Sequence, residues 1–169
     1  MKTMIRNTSS MLMGLALSGG VCAGNLVSPA PNGIEFPAGY KDWRVIGVSH
    51  RTDNNSLRVI LGNDRAIDAS RAGETNPWPD GTILAKVVLK DATHEHWKAA
   101  TVPGKFVHAE FMHKDSAKFA TTGGWGYARW LGQEQTPYGK DADFAQECYV
   151  CHTPVKNNDY VFTTPIPFP

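Results

Sequence analysis

Near the end of the 169-residue chain, Cys148-Tyr149-Val150-Cys151-His152 sets two thiols at a fixed spacing with an imidazole directly after the second. Thiols so placed can add across the two vinyl groups of one porphyrin edge, and the adjoining imidazole then reaches the iron. The pentapeptide is therefore the attachment signature of one c-type haem, with Cys148 and Cys151 as the thioether residues and His152 as the iron ligand. A dithiol redox pair, half of a zinc site and a structural disulfide use the same cysteine spacing.

The start of the chain bears on the choice. Lys2 and Arg6, the apolar run Met11 to Leu17 and the small residues of Val21-Cys22-Ala23 read as a signal peptide over 1–23, too short for a membrane span. Export to the periplasm follows, with 146 residues in one domain. Cleavage removes Cys22, which leaves Cys148 and Cys151 as the remaining cysteines, and it takes the formal charge from +1 to −1. A near-neutral chain without a basic stripe gives no ground for nucleic acid or an anionic membrane as partner.

Four of the five methionines lie in the leader, so Met112 alone could be a methionine ligand on the other face of the iron. A single methionine in an apolar strand reads as core packing. The expected centre is therefore a haem with an open sixth position, where a small molecule binds, rather than the filled site of an electron carrier.

Several elements must position this centre. Residues 24–35 read as an extended arm, followed by a helical turn at Pro37 to Trp43 and a hairpin of Arg44–Ser49 with Leu57–Leu61 around Asp53-Asn54-Asn55. Asn63 caps a helix to Ala72 that Gly73 stops. The strand Thr82–Lys90 puts Lys86 on one face with Leu84 and Val88, apolar companions that point this lysine into something. Asp91–Ala100 reads as a polar connection or short helix in which His94 and His96 are solvated rather than metal ligands.

In the strand Phe106–Met112, alternation groups Phe106, His108, Glu110 and Met112, and leaves open whether Glu110 faces water or a task inside. A helical turn over Lys114–Phe119, a glycine-rich break, a strand Tyr127–Leu131 and a helix Ala145–Cys151 capped by Asp141 or Asp143 follow. Asp159–Pro169 reads as a short strand and proline-rich coil. Strands outnumber long helices and no βαβ rhythm occurs, so the fold class is mainly β (α+β): a single-domain antiparallel β-sheet with a few short helices over 36–169.

From about Phe36 to Phe162 the chain resembles the cytochrome P-460 family, which includes the cytochrome c′-beta branch. The resemblance rests on the Trp43 segment, Pro79-Asp80-Gly81-Thr82 through Lys86, Glu110 to Ser116 with its Lys114-Asp115-Ser116, and the haem motif followed by Asp159-Tyr160-Val161-Phe162. It implies a periplasmic homodimer of β-sheet subunits with a five-coordinate haem on His152. In hydroxylamine-oxidising members a strand lysine is bonded to the porphyrin rim, and Lys86 matches it, with Lys90 as a nearby competitor. Their distal proton-accepting carboxylate falls on Glu110 and a second-sphere arginine on Arg58. Electrons would pass to a redox partner such as a soluble cytochrome c. The cytochrome c′-beta branch lacks the link and binds nitric oxide in an apolar pocket often capped by phenylalanine, for which Phe106 and Phe111 are available.

Overall fold

The computed structural model describes residues 27–167; the leader, Cys22 and the first arm residues lie outside them. Six antiparallel strands form one sheet in chain order: β1 Arg44–Arg51, β2 Ser56–Gly62, β3 Ile83–Thr93, β4 Thr101–Lys114, β5 Trp125–Leu131 and β6 Thr136–Pro137. Two short α-helices, α1 Asp64–Ala72 and α2 Phe144–His152, join it, as the alternating sequence leads one to expect. Among the described residues no helix is long and apolar enough to cross a membrane.

The register decides which side chains meet. Ile60 lies opposite Lys86, Lys86 opposite Glu110 and Glu110 opposite Arg129, so these four share the front face of the sheet. The offset row of Leu61, Ala85, Phe111 and Ala128 belongs to the rear face.

The arm covers that rear face. Ala30, Ile34 and Tyr40 are buried there with Phe111 and Trp130, and Phe36 meets the Phe111 and Trp130 rings edge-on at 5.8 and 5.1 Å. Trp130 Nε1 donates to the Ser28 carbonyl at 2.9 Å, and Asn32 Nδ2 to that of Tyr127 at 2.8 Å. The front face is covered at one end by α1, whose Asn63 cap accepts from the Ala66 N–H at 3.0 Å and which ends at left-handed Gly73. Ala66, Ile67 and Ala69 pack there with Ile46, Leu84, Trp78 and Trp125. Their approach needs Gly62, where a Cβ would stand 2.7 Å from that of Ala66.

The structure departs from the sequence expectations in four places. Asp91–Ala100 is not helical: β3 continues through Thr93, pairing Asp91 with Pro103 and Thr93 with Thr101, because the two arms of the long hairpin satisfy each other's backbone groups. Register shifts around Leu89 then turn Phe106 away from Glu110, and it packs in the rear cluster. The chain after Asp159 forms no strand through residue 167; Ile166 donates a single bond to the Ile46 carbonyl at 2.9 Å, and the prolines on either side of it have no N–H to extend a ladder. The turn after Lys114 tightens into a 3-10 helix only at Ala120–Thr122.

His113, on the rear face, has an Nε2 atom that is buried without a partner. Burial, and secondarily Lys118, lowers its pKa to about 4. The unfolded chain takes up this proton near 6.5 and the folded chain does not until about 4, so stability falls as pH drops through that interval. The loss amounts to about 3 kcal/mol at full extent. Denaturant titrations of the parent and His113→Leu at neutral pH and at about pH 4.5 should show the acid loss reduced in the variant by the greater part of that amount.

Candidate haem site

A cavity of about 530 Å³ opens between the front face of the sheet and α2, within the roughly 300–1,000 Å³ usual for bound small molecules and cofactors. Cys148, Cys151, His152, Lys86, Glu110 and Arg58, all singled out in the sequence, line it. Strands β2, β3 and β4 supply the last three through the cross-strand register. Helix α2 supplies the first three, its Asp143 at the N-cap position and Phe144 buried against the sheet end. The cap carries no side-chain bond; instead Asp141 Oδ1 accepts from the Asp143 N–H at 3.1 Å.

Cys148 is half-buried, Cys151 is exposed, and neither is in a disulfide. The His152 ring is held from three sides. Its Nδ1 lies 2.6 Å from the Tyr160 carbonyl, which can only accept, so Nδ1 carries the proton and the Nε2 lone pair is free for a metal. Tyr127 and Phe162 flank the ring at 5.3 and 5.1 Å between centroids. Burial lowers the His152 pKa, which favours the neutral form a metal ligand requires.

On the same face the Glu110 carboxylate is ringed by side-chain nitrogens. Lys86 Nζ pairs with Oε2, while Arg129 Nε stands 2.8 Å and His108 Nε2 3.1 Å from Oε1. Burial pushes the Glu110 pKa upward, but His108, Lys86 and Arg129 together hold it well below the usual carboxylate range. Lys90 does not compete with Lys86: it is exposed and reaches the Asn54 carbonyl at 3.4 Å.

Arg58 reaches the cavity but is not among the groups paired with Glu110; its Nε is buried without a partner. The arginine at the carboxylate is Arg129, which sequence reasoning did not single out. A signal existed, since Arg129 is the one charge in the apolar run Trp125–Leu131. Its guanidinium also lies over the Tyr138 ring at 4.6 Å, and the Tyr138 hydroxyl donates to Glu147 at 3.1 Å.

Met112 pairs across the sheet with Tyr127, the residue beside His152. It therefore sits in the row next to the imidazole, one step removed from that of Lys86 and Glu110. His94 Nδ1 accepts the His96 and Trp97 N–H groups at 3.1 and 3.0 Å, a turn contact rather than a metal site.

The residues fit the haem that the cysteine motif predicts. A floor of Ile60, Leu84, Val161 and Phe162 suits a flat apolar ring. The partnerless Arg58 Nε and the buried, partnerless Tyr127 hydroxyl are polar atoms left for a ligand in the cavity to satisfy. A family model described as Cytochrome P460 matches residues 37–163. No curated protein matches the chain.

Proposed function

Because the chain belongs to the cytochrome P460 family of haem cytochromes, we propose that it is an exported mono-haem c-type cytochrome that oxidises hydroxylamine. The observation that carries this reading is a carboxylate, Glu110, held on the same cavity as the free Nε2 side of His152. An oxidation of a nitrogen substrate needs a proton acceptor beside an electron sink, and a purely gas-binding pocket needs none.

Under this reading Cys148 and Cys151 carry the thioether bonds and His152 is the iron ligand. The haem, when bound, supplies an electron sink and a Lewis-acidic site for the substrate nitrogen. Glu110 takes protons from the substrate as electrons leave, and Arg129 and His108 hold its carboxylate in place. Arg58 offers an unpaired donor to an anionic edge of the cofactor. Lys86, which lines the same cavity, is the residue we assign to a bond with the porphyrin rim. We further propose a homodimer, in the periplasm, that passes electrons to a soluble cytochrome c.

Phe106 packs in the rear cluster away from the cavity, and Phe111, although it borders the cavity, packs its ring edge-on against Phe36, Tyr40 and Trp130 in that cluster. The test is turnover of hydroxylamine by the purified holoprotein with an artificial electron acceptor, beside its ferrous absorption spectrum. Oxidation of hydroxylamine to nitrous oxide or a product at the nitric oxide level is the expected result. Nitric oxide binding without turnover would assign the protein to the gas-binding branch, and an ordinary low-spin spectrum would make it an electron carrier.

A further inference from the structure

Lys114 and Asp159 have no part in the chemistry above, yet they form the most deeply buried ion pair among the described residues. Lys114 Nζ lies 2.7 and 2.8 Å from the two Asp159 carboxylate oxygens, with the side chains 5% and 8% exposed. Removing two charges from water is costly, so a pair this deep requires additional bonds. It has them. Asp159 Oδ2 also accepts the Trp78 N–H at 2.8 Å, and the Asp159 carbonyl accepts Trp125 Nε1 at 2.8 Å. The Lys114 ammonium lies 4.9 Å from the centre of the Trp125 ring.

These anchors act on an unfavourable piece of backbone. Asp159 and Tyr160 are consecutive non-glycine residues in the left-handed region, at φ +48° and +62°. Such conformations persist only where the surroundings over-determine them. The Tyr160 ring is fixed as well: it lies over Gly123, where a Cβ would stand 2.3 Å from it. The product of the turn is a single contact, the Tyr160 carbonyl accepting from His152 Nδ1 at 2.6 Å.

We propose that the Lys114–Asp159 pair is a positioning device for the iron ligand: it locks the left-handed turn that presses the Tyr160 carbonyl onto His152 Nδ1. That hydrogen bond gives the imidazole partial imidazolate character, which makes Nε2 a stronger donor and favours the oxidised metal. Lys114 and Asp159 thus tune the centre from beyond the cavity wall. This rests on His152 as the iron ligand and is independent of which substrate the protein takes.

The experiment uses the haem-loaded full chain. Resonance Raman spectroscopy of the ferrous protein reads the iron–histidine stretching mode, and redox titration reads the potential. Lys114→Met with Asp159→Ala in one chain removes the anchor without leaving a buried charge unpaired. Trp125→Phe separately removes the donor to the Asp159 carbonyl. In each the mode should move to lower frequency and the potential should rise, at unchanged haem content. Either folded, haem-loaded variant with the mode and potential at the parental values overturns the proposal, because a merely structural pair would change only the melting temperature. If one variant does not fold, the other decides. A five-coordinate high-spin parent without any iron–histidine mode overturns the assignment of His152, and the proposal with it; in a low-spin parent the redox potential alone decides.

Discussion

Replacing Glu110 with glutamine should lower hydroxylamine turnover by roughly 10²–10⁴-fold, the span usual for loss of a general base. Haem content and nitric oxide binding should stay as in the parent. The amide keeps the shape of the carboxylate, but it cannot take up a proton at neutral pH. It also leaves Lys86, His108 and Arg129 without the anion that now sits among them. Some loss of stability is therefore expected beside the loss of turnover, and steady-state kinetics together with a thermal melt separates the two. Turnover equal to the parent in a folded Glu110→Gln would remove Glu110 from the mechanism.

Lys86→Met should return an ordinary c-type spectrum from a parent whose ferrous Soret band is strongly red-shifted. The second-largest effect is expected here because a covalent link at the ring edge distorts the macrocycle and alters its electronics, whereas a thioether side chain touches it only by packing. The electrostatic consequence matters as much. In the structure Lys86 is one of the groups that hold Glu110 well below the usual carboxylate range. A lysine nitrogen bonded to an aromatic ring would lose its ammonium charge, so a link at Lys86 would remove one of the three groups that lower the Glu110 pKa and make it a better base. Absorption spectra and intact masses of parent and variant test the first point. If the parent itself shows the ordinary spectrum, the link has not formed and this prediction fails.

Much of this arrangement was legible in the sequence, for identifiable reasons. The haem motif is readable because covalent geometry fixes its spacing. Lys86 is readable because a cation between Leu84 and Val88 breaks an otherwise apolar face. Glu110 stayed undecided because both faces of β4 are covered, one by the cavity and one by the arm, and alternation cannot tell two buried faces apart.

The arm's own burial was hidden by a composition that suits a loop, although Ala30 and Ile34 are 3% and 4% exposed. The misplacement of Phe106 came from a bulge, and one register shift reverses every later side chain. The separate motifs around Asp80 and Ser116 prove to be one contact: Asp80 Oδ1 accepts from the Ser116 N–H and hydroxyl at 2.9 and 2.8 Å. No periodicity joins residues so far apart.

The order of the strands bears on how the protein is assembled. Every strand pairs only with its neighbours in the chain, so the wall carrying Arg58, Lys86, Glu110 and Arg129 closes through local connections, the longest running from Gly62 to Ile83 by way of α1. Helix α2 and the Asp159–Thr163 segment come last and must return to β5 and β1. The wall can thus stand complete while Cys148 and Cys151 remain accessible to whatever delivers the cofactor. A haem joined to Cys148 and Cys151 would then be brought against this wall as α2 docks, so cofactor attachment would come late in folding rather than nucleate it.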